Sequence, residues 1–169
     1  MKEDIVEGDP FSEDEDLWKG WNAYSGSGEV TAEVVYANYG RKEDFEKLKE
    51  MGVDVSGKIV IARYGGNFRG YKAKFAEAAG AAGLIIYTDP IDSGYFKGLV
   101  YPEGPYYSES TIQRGSLLTE DFTGDPLTPY EPALPLDGDI KIKRKKPEDA
   151  QLHSIPVTPI GYGAAKEIL

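Results

Sequence analysis

The sequence contains no cysteine and a single histidine, His153. The absence of cysteine excludes disulfide bonds, cysteine nucleophiles and thiolate zinc sites. A catalytic zinc ion requires several His, Asp or Glu ligands around an open position, and a single histidine without a His-Glu-x-x-His motif argues against such a site. No Gly-x-Ser-x-Gly motif supports a serine nucleophile. We therefore expect no zinc site and no catalytic residues in this chain, and we place His153 at the surface or at an interface.

Long apolar runs and an excess of basic residues are also missing. No stretch approaches the length of a membrane helix, and residues 1–4 do not form a signal peptide. The formal net charge is −10, whereas compact nucleic-acid binders are normally basic. Eight of the first sixteen residues are acidic, which is typical of a solvated arm and lacks the spacing of an EF-hand loop. We expect no nucleic-acid partner and no membrane segment in this chain.

The remaining composition is that of one folded domain. The chain has 169 residues, of which 40% are apolar, and this suffices for a substantial core. Twenty glycines and eleven prolines indicate many turns and loops. We predict an irregular acidic lead-in over residues 1–27, followed by one domain over residues 28–169.

The periodicity of apolar residues predicts an α/β fold with a mixed central β-sheet flanked by helices. Strands are predicted at 30–39, 58–63, 83–87, 113–118, 140–144 and 155–160, and helices at 41–51, 71–79 and from 161 onward. The strand–helix–strand order over residues 58–87 predicts a βαβ unit with parallel strands. A long loop is expected over residues 88–111 and a turn cluster over residues 124–129.

Arg69 lies between the predicted strand 58–63 and the predicted helix 71–79, with Gly65, Gly66 and Gly70 close by. We expect it on a loop held by these two elements, where binding groups are usually placed. One interpretation is a surface arginine that pairs with a nearby acid. The other is capture of a carboxylate or phosphate, because the planar guanidinium matches two oxygens and glycine neighbours let a ligand approach.

Two other features have a structural and a functional interpretation. The basic run over residues 141–146 suits a solvated edge strand, where lysines oppose edge-to-edge pairing, or a patch for a lipid or polyanion. The segment Gly161-Tyr162-Gly163 has a weak likeness to a dinucleotide-binding loop, but no strand follows it, so helix capping is favoured.

Several short segments of the chain form a consistent series. They are Lys58-Ile-Val-Ile-Ala-Arg-Tyr-Gly65, Phe68-Arg69-Gly70, Gly83-Leu-Ile-Ile-Tyr87 with Asp89-Pro90, Tyr101-Pro102, Gln113-Arg114-Gly115, Gly124-Asp-Pro-Leu-Thr-Pro129 and Ile155-Pro156-Val157. In this order they resemble the protease-associated (apical) domain of the glutamate carboxypeptidase II family. That family includes the N-acetylated alpha-linked acidic dipeptidases and the catalytically inactive transferrin receptor. The resemblance covers residues 30–169.

The resemblance implies a swivelling β/β/α apical domain inserted into a zinc-dependent exopeptidase. Such a domain is not catalytic on its own; it lids the active site and binds the carboxylate of an acidic peptide substrate. The parent protein would carry the catalytic and dimerisation domains, two zinc ions and a structural calcium ion. It would act outside the cell or at the cell surface.

The resemblance also assigns roles to particular residues. The arginine of the Phe-Arg-Gly motif, here Arg69, binds a substrate carboxylate in the peptidases. The residue after Gln-Arg-Gly is an asparagine in the human peptidase and contacts the substrate glutamate, whereas here it is Ser116, which leaves glutamate specificity open. The structural calcium would take oxygens from Thr128 and from the position of Glu131, where the family has a tyrosine.

A different class of function fits the same absence of catalytic residues. The chain would then be a protein-interaction module, such as a transferrin-receptor-like apical domain or an excised or redesigned scaffold. It would present the predicted edge strand near residues 140–146 to partners and have no role toward a substrate.

Overall fold

A four-stranded parallel sheet forms the centre of the chain in the computed structural model, which describes residues 2–169. Met1, the first residue of the predicted lead-in, lies outside the described residues. The strands are β1 (Asn22–Ala23), β2 (Val34–Tyr36), β3 (Ile59–Arg63), β4 (Gly83–Tyr87), β5 (Gly115–Ser116), β6 (Gly124–Asp125), β7 (Thr128–Pro129) and β8 (Val157–Ile160). The helices are α1 (Lys42–Glu50), α2 (Arg69–Ala78), α3 (Pro90–Ser93) and α4 (Tyr162–Ala165), with 3₁₀ turns at Pro10–Glu13 and Pro147–Asp149.

The central sheet has the strand order β2-β3-β4-β8 and is covered on both faces. Successive residues of β3 alternate between two apolar clusters: Val60 and Ala62 face the cluster that includes α1 and α2, while Ile61 faces the cluster that includes α4. Ala73 and Ala76 of α2 are fully buried, since their small side chains let the helix lie close to the sheet. The near-continuous apolar runs of β3 and β4 are those of strands buried on both faces.

The predicted α/β class, with helices flanking a sheet, is confirmed. Strands β3 and β4 pair in parallel across α2, as the βαβ pattern predicted. All four central strands are parallel, and within residues 2–169 the antiparallel pairing is confined to the β6·β7 hairpin, at the predicted turn cluster. Strand β8, which contains Pro159, lies at the sheet edge, and Gly161 is the N-cap of α4. No helix of the described residues is long and apolar enough to cross a membrane.

The predicted edge strand at residues 140–144 is wrong. These residues form no strand. Lys145 N–H donates to the Leu127 carbonyl in the β6–β7 turn at 2.8 Å, and the Arg144 guanidinium donates to the Leu134 carbonyl in the loop that follows β7. Alternating lysine and isoleucine favours an extended backbone, but a strand also needs a neighbour, and here these donors bond to a turn and a loop. The predicted strand at 30–39 is shorter than expected and comprises β2 alone.

His153 is buried rather than at the surface, with 9% of its area exposed. Its Nε2 lies 3.0 Å from the Leu117 carbonyl and therefore carries the proton that it donates there, while Nδ1 lies 3.3 Å from the Glu77 carboxylate. The backbone N–H of Ser154 donates to Glu77 at 2.9 Å, and the Ser154 hydroxyl donates to the same oxygen. His153 and Glu77 thus join α2 to the segment that follows β5.

Lys72 of α2 is completely buried. Its Nζ donates to the Tyr39 carbonyl at 2.5 Å, the Asn67 Oδ1 at 2.6 Å and the Gly65 carbonyl at 2.7 Å. Burial, together with the charge of Arg41, lowers the pKa of Lys72 to about 8. At neutral pH it remains mainly an ammonium, and its three hydrogens hold together the loops that follow β2 and β3.

Replacing Lys72 with methionine should destabilise the fold. Lys72→Met removes three hydrogen bonds and leaves three acceptors without this donor, and each unsatisfied acceptor costs about 1–3 kcal/mol. Part of this loss is offset because the variant no longer buries a charged ammonium. We expect the free energy of unfolding in urea to fall by about 2–4 kcal/mol. Lys74→Met, at an exposed position of the same helix, is the matched control, and equal stability of the two variants would contradict the role of Lys72.

The Glu77 contacts make the stability of the fold depend on pH. Burial raises the pKa of this carboxyl, but the hydrogen bonds that the Ser154 hydroxyl and N–H donate, with an added contribution from His153 when both of its ring nitrogens carry protons, outweigh burial and hold the pKa below its ordinary value of 4.5. The folded state therefore favours the carboxylate, so its contribution is complete above about pH 5 and is lost as the pH falls through the folded-state pKa.

The corresponding test compares Glu77→Gln with the unaltered chain in urea unfolding across this pH range. The difference in free energy of unfolding should be largest near about pH 6 and shrink below about pH 4.5. Glu46→Gln on the exposed face of α1 is the control. A difference that stays constant with pH would show that the Glu77 charge is not what the native contacts stabilise.

Candidate functional site

Arg69 is the first residue of α2, which corrects the prediction that it lies on a loop. Phe68 before it has an extended backbone and serves as the N-cap, so the helix begins two residues earlier than the predicted start at residue 71. The Arg69 side chain is half-buried and lies near two aromatic rings, with Cζ 5.5 Å from the Phe68 centroid and 5.8 Å from that of Tyr64. These rings restrict its motion and screen it from water.

The guanidinium of Arg69 is held by neutral groups. Nη2 donates to the Gln113 side-chain oxygen at 3.1 Å, and Nη1 donates to the Ser116 carbonyl at 3.4 Å. Within residues 2–169 no Asp or Glu forms a salt bridge with Arg69, so the interpretation of a nearby acidic partner is not supported. An arginine offers five N–H donors, and these contacts use two of them.

Two glycines let α2 approach the segment at β5. A Cβ atom on Gly115 would lie 2.5 Å from Arg69 Nη1, and a Cβ atom on Gly70 would lie 2.2 Å from the Leu117 carbonyl oxygen. The Leu117 oxygen belongs to the backbone and cannot move aside, so position 70 requires glycine. Position 115 favours glycine because its φ is +153°, and a Cβ atom there would displace the Arg69 guanidinium. The glycines of Phe-Arg-Gly and Gln-Arg-Gly thus serve the same contact from opposite sides.

Ser116, the second residue to which the resemblance gives a substrate-binding role, lies next to Arg69. Its carbonyl accepts the Arg69 hydrogen bond, while its hydroxyl oxygen accepts from the Leu118 N–H at 3.1 Å. The hydroxyl keeps its own proton for donation. The structure therefore brings the two predicted substrate-binding residues together at the first turn of α2.

Three residues of this site were missed as functional by sequence reasoning. Gln113 orients the guanidinium, the Tyr64 hydroxyl donates to the Gln113 carbonyl at 2.9 Å, and Asn22 Nδ2 donates to the Tyr64 hydroxyl at 3.1 Å. Gln113 is the first residue of the Gln-Arg-Gly motif, and this position was the signal in the sequence that could have identified it. No local pattern linked Asn22 or Tyr64 to Arg69, because they lie 47 and 5 positions away in the sequence.

Thr128 and Glu131, the predicted calcium residues, also lie together. Thr128 is buried, its hydroxyl donates to the Glu131 carbonyl at 3.3 Å, and Glu131 N–H donates to the Thr128 carbonyl at 3.0 Å. Calcium takes six to eight oxygen ligands, usually including several carboxylates. No group of three or more His, Cys, Asp or Glu suited to a metal occurs among the described residues. These residues alone do not fit a calcium ion.

Comparison with known proteins matches residues 30–119 to the family model of the PA domain. The chain is 43% identical over 152 residues to a glutamate carboxypeptidase 2 homolog of Caenorhabditis briggsae. That alignment covers 88% of this chain and 20% of the relative. It is 47% identical over 133 residues to a probable glutamate carboxypeptidase of Arthroderma benhamiae, covering 76% of this chain and 18% of that protein. The chain therefore spans about a fifth of the length of these curated relatives.

Among solved structures, a zinc aminopeptidase from Bacillus subtilis aligns with 85% of this chain and 23% of its own chain. The alignment has 21% identity and a TM-score of 0.43.

Proposed function

Because the chain belongs to the PA domain family, we propose that it is the non-catalytic domain of a glutamate carboxypeptidase-like exopeptidase and binds a substrate carboxylate through Arg69. The peptidase names of relatives at 43% and 47% identity support the class of the parent. The reacting groups belong to the part of the parent outside this chain, and the domain acts as a lid over them.

The observation that carries this proposal is the set of neutral partners around Arg69. Its two protein partners are an amide oxygen and a backbone carbonyl, in a chain with net charge −10. A half-buried cation without a protein counter-charge favours an anion from outside the domain. Arginine pairs best with a carboxylate, which accepts two parallel N–H bonds from the fork. Acidic peptides carry such a group.

Ser116 is the second substrate-binding residue in this proposal. Its hydroxyl lies on the segment that contacts Arg69 and has a proton to donate, because its oxygen accepts only from Leu118 N–H within the described hydrogen bonds. A serine hydroxyl is short and offers one donor, so it suits a weaker or water-bridged contact to an acidic side chain. The specificity for that substrate side chain depends on Ser116 together with residues of the rest of the parent.

The wider assembly follows from the same proposal. The parent supplies catalytic and dimerisation domains and two zinc ions, and it acts outside the cell or at its surface. Thr128 and Glu131 supply oxygens to a structural calcium whose acidic ligands come from the catalytic domain. The domain boundary after residue 27 is part of the proposal as well. The interaction-module alternative depended on an edge strand near residues 140–146, and no strand occurs there.

Arg69 should matter for catalysis by the parent enzyme. Arg69→Ala is expected to lower kcat/KM for acidic dipeptides roughly 30-fold or more, since truncating one partner of a desolvated charge pair costs about 2–5 kcal/mol. Arg69→Lys keeps the charge but loses the fork, so its effect should be intermediate. Arg41→Ala, at an exposed arginine, is the control. Unchanged kcat/KM in Arg69→Ala would refute the carboxylate role.

The calcium proposal makes a separate prediction for the isolated chain. Because its own residues offer too few oxygens, titration calorimetry with calcium should give no binding tighter than about 1 mM. The midpoint of thermal unfolding should be the same in EDTA and in calcium. Micromolar binding by this chain would mean that it carries a complete site, contrary to the proposal.

A further inference from the structure

A chain of hydrogen bonds runs from the lead-in to Arg69. Asn22 Nδ2 donates to the Tyr64 hydroxyl at 3.1 Å, the Tyr64 hydroxyl donates to the Gln113 carbonyl at 2.9 Å, and the Gln113 side chain accepts from Arg69 at 3.1 Å. Asn22 and Tyr64 are each only 6% exposed. Buried polar groups in a connected series restrict one another, so the orientation of Arg69 depends on Asn22 and on the Tyr64 hydroxyl as well as on Gln113, which bonds to it directly.

The lead-in also fixes the backbone on which Gln113 sits. Strand β1 pairs in parallel with β5, and Asn22 Nδ2 makes a second bond to the Gly115 carbonyl at 3.3 Å. Arg114 donates to the Trp18 carbonyl at 2.8 Å and pairs with the Glu3 carboxylate at 2.7 Å. The segment from Gln113 to Ser116 is therefore held on one side by the lead-in and on the other by α2.

The three residues that support Arg69 in this series, Asn22, Tyr64 and Gln113, are uncharged. An aspartate or glutamate at the position of Gln113 would hold the guanidinium more strongly, but it would also neutralise it. An amide oxygen and a phenol position the cation and leave its charge for a ligand. Burial raises the pKa of Tyr64, which keeps the phenol neutral at physiological pH and above.

We propose that Asn22, Tyr64 and Gln113 are positioning residues that orient Arg69 for a carboxylate ligand without neutralising it. The lead-in is thereby a working part of the site through Asn22 and β1. The inference rests on the proposed function for the identity of the ligand, but the orientation of Arg69 can be measured without any ligand.

The first measurement is NMR of the chain labelled with ¹⁵N-arginine, which reports the Arg69 Nε–H signal. Tyr64→Phe removes the hydroxyl and keeps the ring, so the Nε–H signal should shift and its heteronuclear NOE should fall while most backbone signals stay in place. Tyr87→Phe is the matched control, since Tyr87 is also buried and its hydroxyl bonds to Asp89 instead. An Arg69 signal that responds no more to Tyr64→Phe than to Tyr87→Phe overturns the proposal.

The second measurement tests neutrality in the parent enzyme. Gln113→Glu keeps the size of the side chain and places a carboxylate beside Arg69, so kcat/KM for acidic dipeptides should fall about tenfold or more, chiefly through KM. Gln151→Glu adds the same charge at an exposed position and should have no effect. Tyr64→Phe should lower kcat/KM about 3- to 10-fold, the size of one hydrogen bond.

The two measurements separate the failure of the positioning role from that of the proposed function. An altered Arg69 signal with unchanged kcat/KM in Tyr64→Phe and Gln113→Glu would support the positioning role and contradict carboxylate binding by Arg69. An unaltered signal in Tyr64→Phe overturns the positioning role whatever the kinetics. If Tyr64→Phe fails to fold, Asn22→Ser gives the same readout, because it shortens the donor and breaks the bond to Tyr64.

Discussion

The close contact between the first turn of α2 and the backbone of residues 115–117 is the constraint on which the site depends. It exists because Gly70 lacks a Cβ atom, which would overlap the Leu117 carbonyl oxygen, and because Gly115 leaves room for the Arg69 guanidinium. The contact places Arg69 against Gln113 and Ser116 and lets His153 join the same segment to α2 through Glu77. The Phe-Arg-Gly and Gln-Arg-Gly motifs therefore form the two sides of one packing contact, which positions Arg69.

The electrostatics of the chain follow a consistent pattern around this contact. Arg63 pairs with Asp89 and Asp92, and Arg114 pairs with Glu3, whereas Arg69 has uncharged partners. Lys72, one turn further along α2, is likewise held by neutral oxygens, but it is completely buried and thus structural. Arg69 is half-buried, so the same mode of support leaves its charge within reach of a ligand. In the proposed function, burial is what separates the structural Lys72 from the ligand-binding Arg69.

Sequence reasoning predicted the parts of the fold that depend on local pattern. Strands β3 and β4 were predicted from their short apolar runs, and α1 from helical spacing, because burial of these elements requires such patterns. The predicted strand at 140–144 failed because pairing depends on a neighbour that the pattern does not reveal. Burial of His153, the start of α2 at Arg69 and the link from Asn22 to Arg69 depend on contacts between distant segments. Motif resemblance located Arg69, but only the structure gave the neutral partners that define its chemistry.

The most direct measurement of the central claim is a crystal structure of the parent peptidase with an acidic dipeptide analogue bound. We expect both oxygens of a ligand carboxylate to lie about 2.7–2.9 Å from Arg69 nitrogens, with the hydrogen bond from Arg69 to Gln113 retained. A ligand whose carboxylates are bound entirely by other cations, with Arg69 contacting only Gln113 and Ser116, would contradict it.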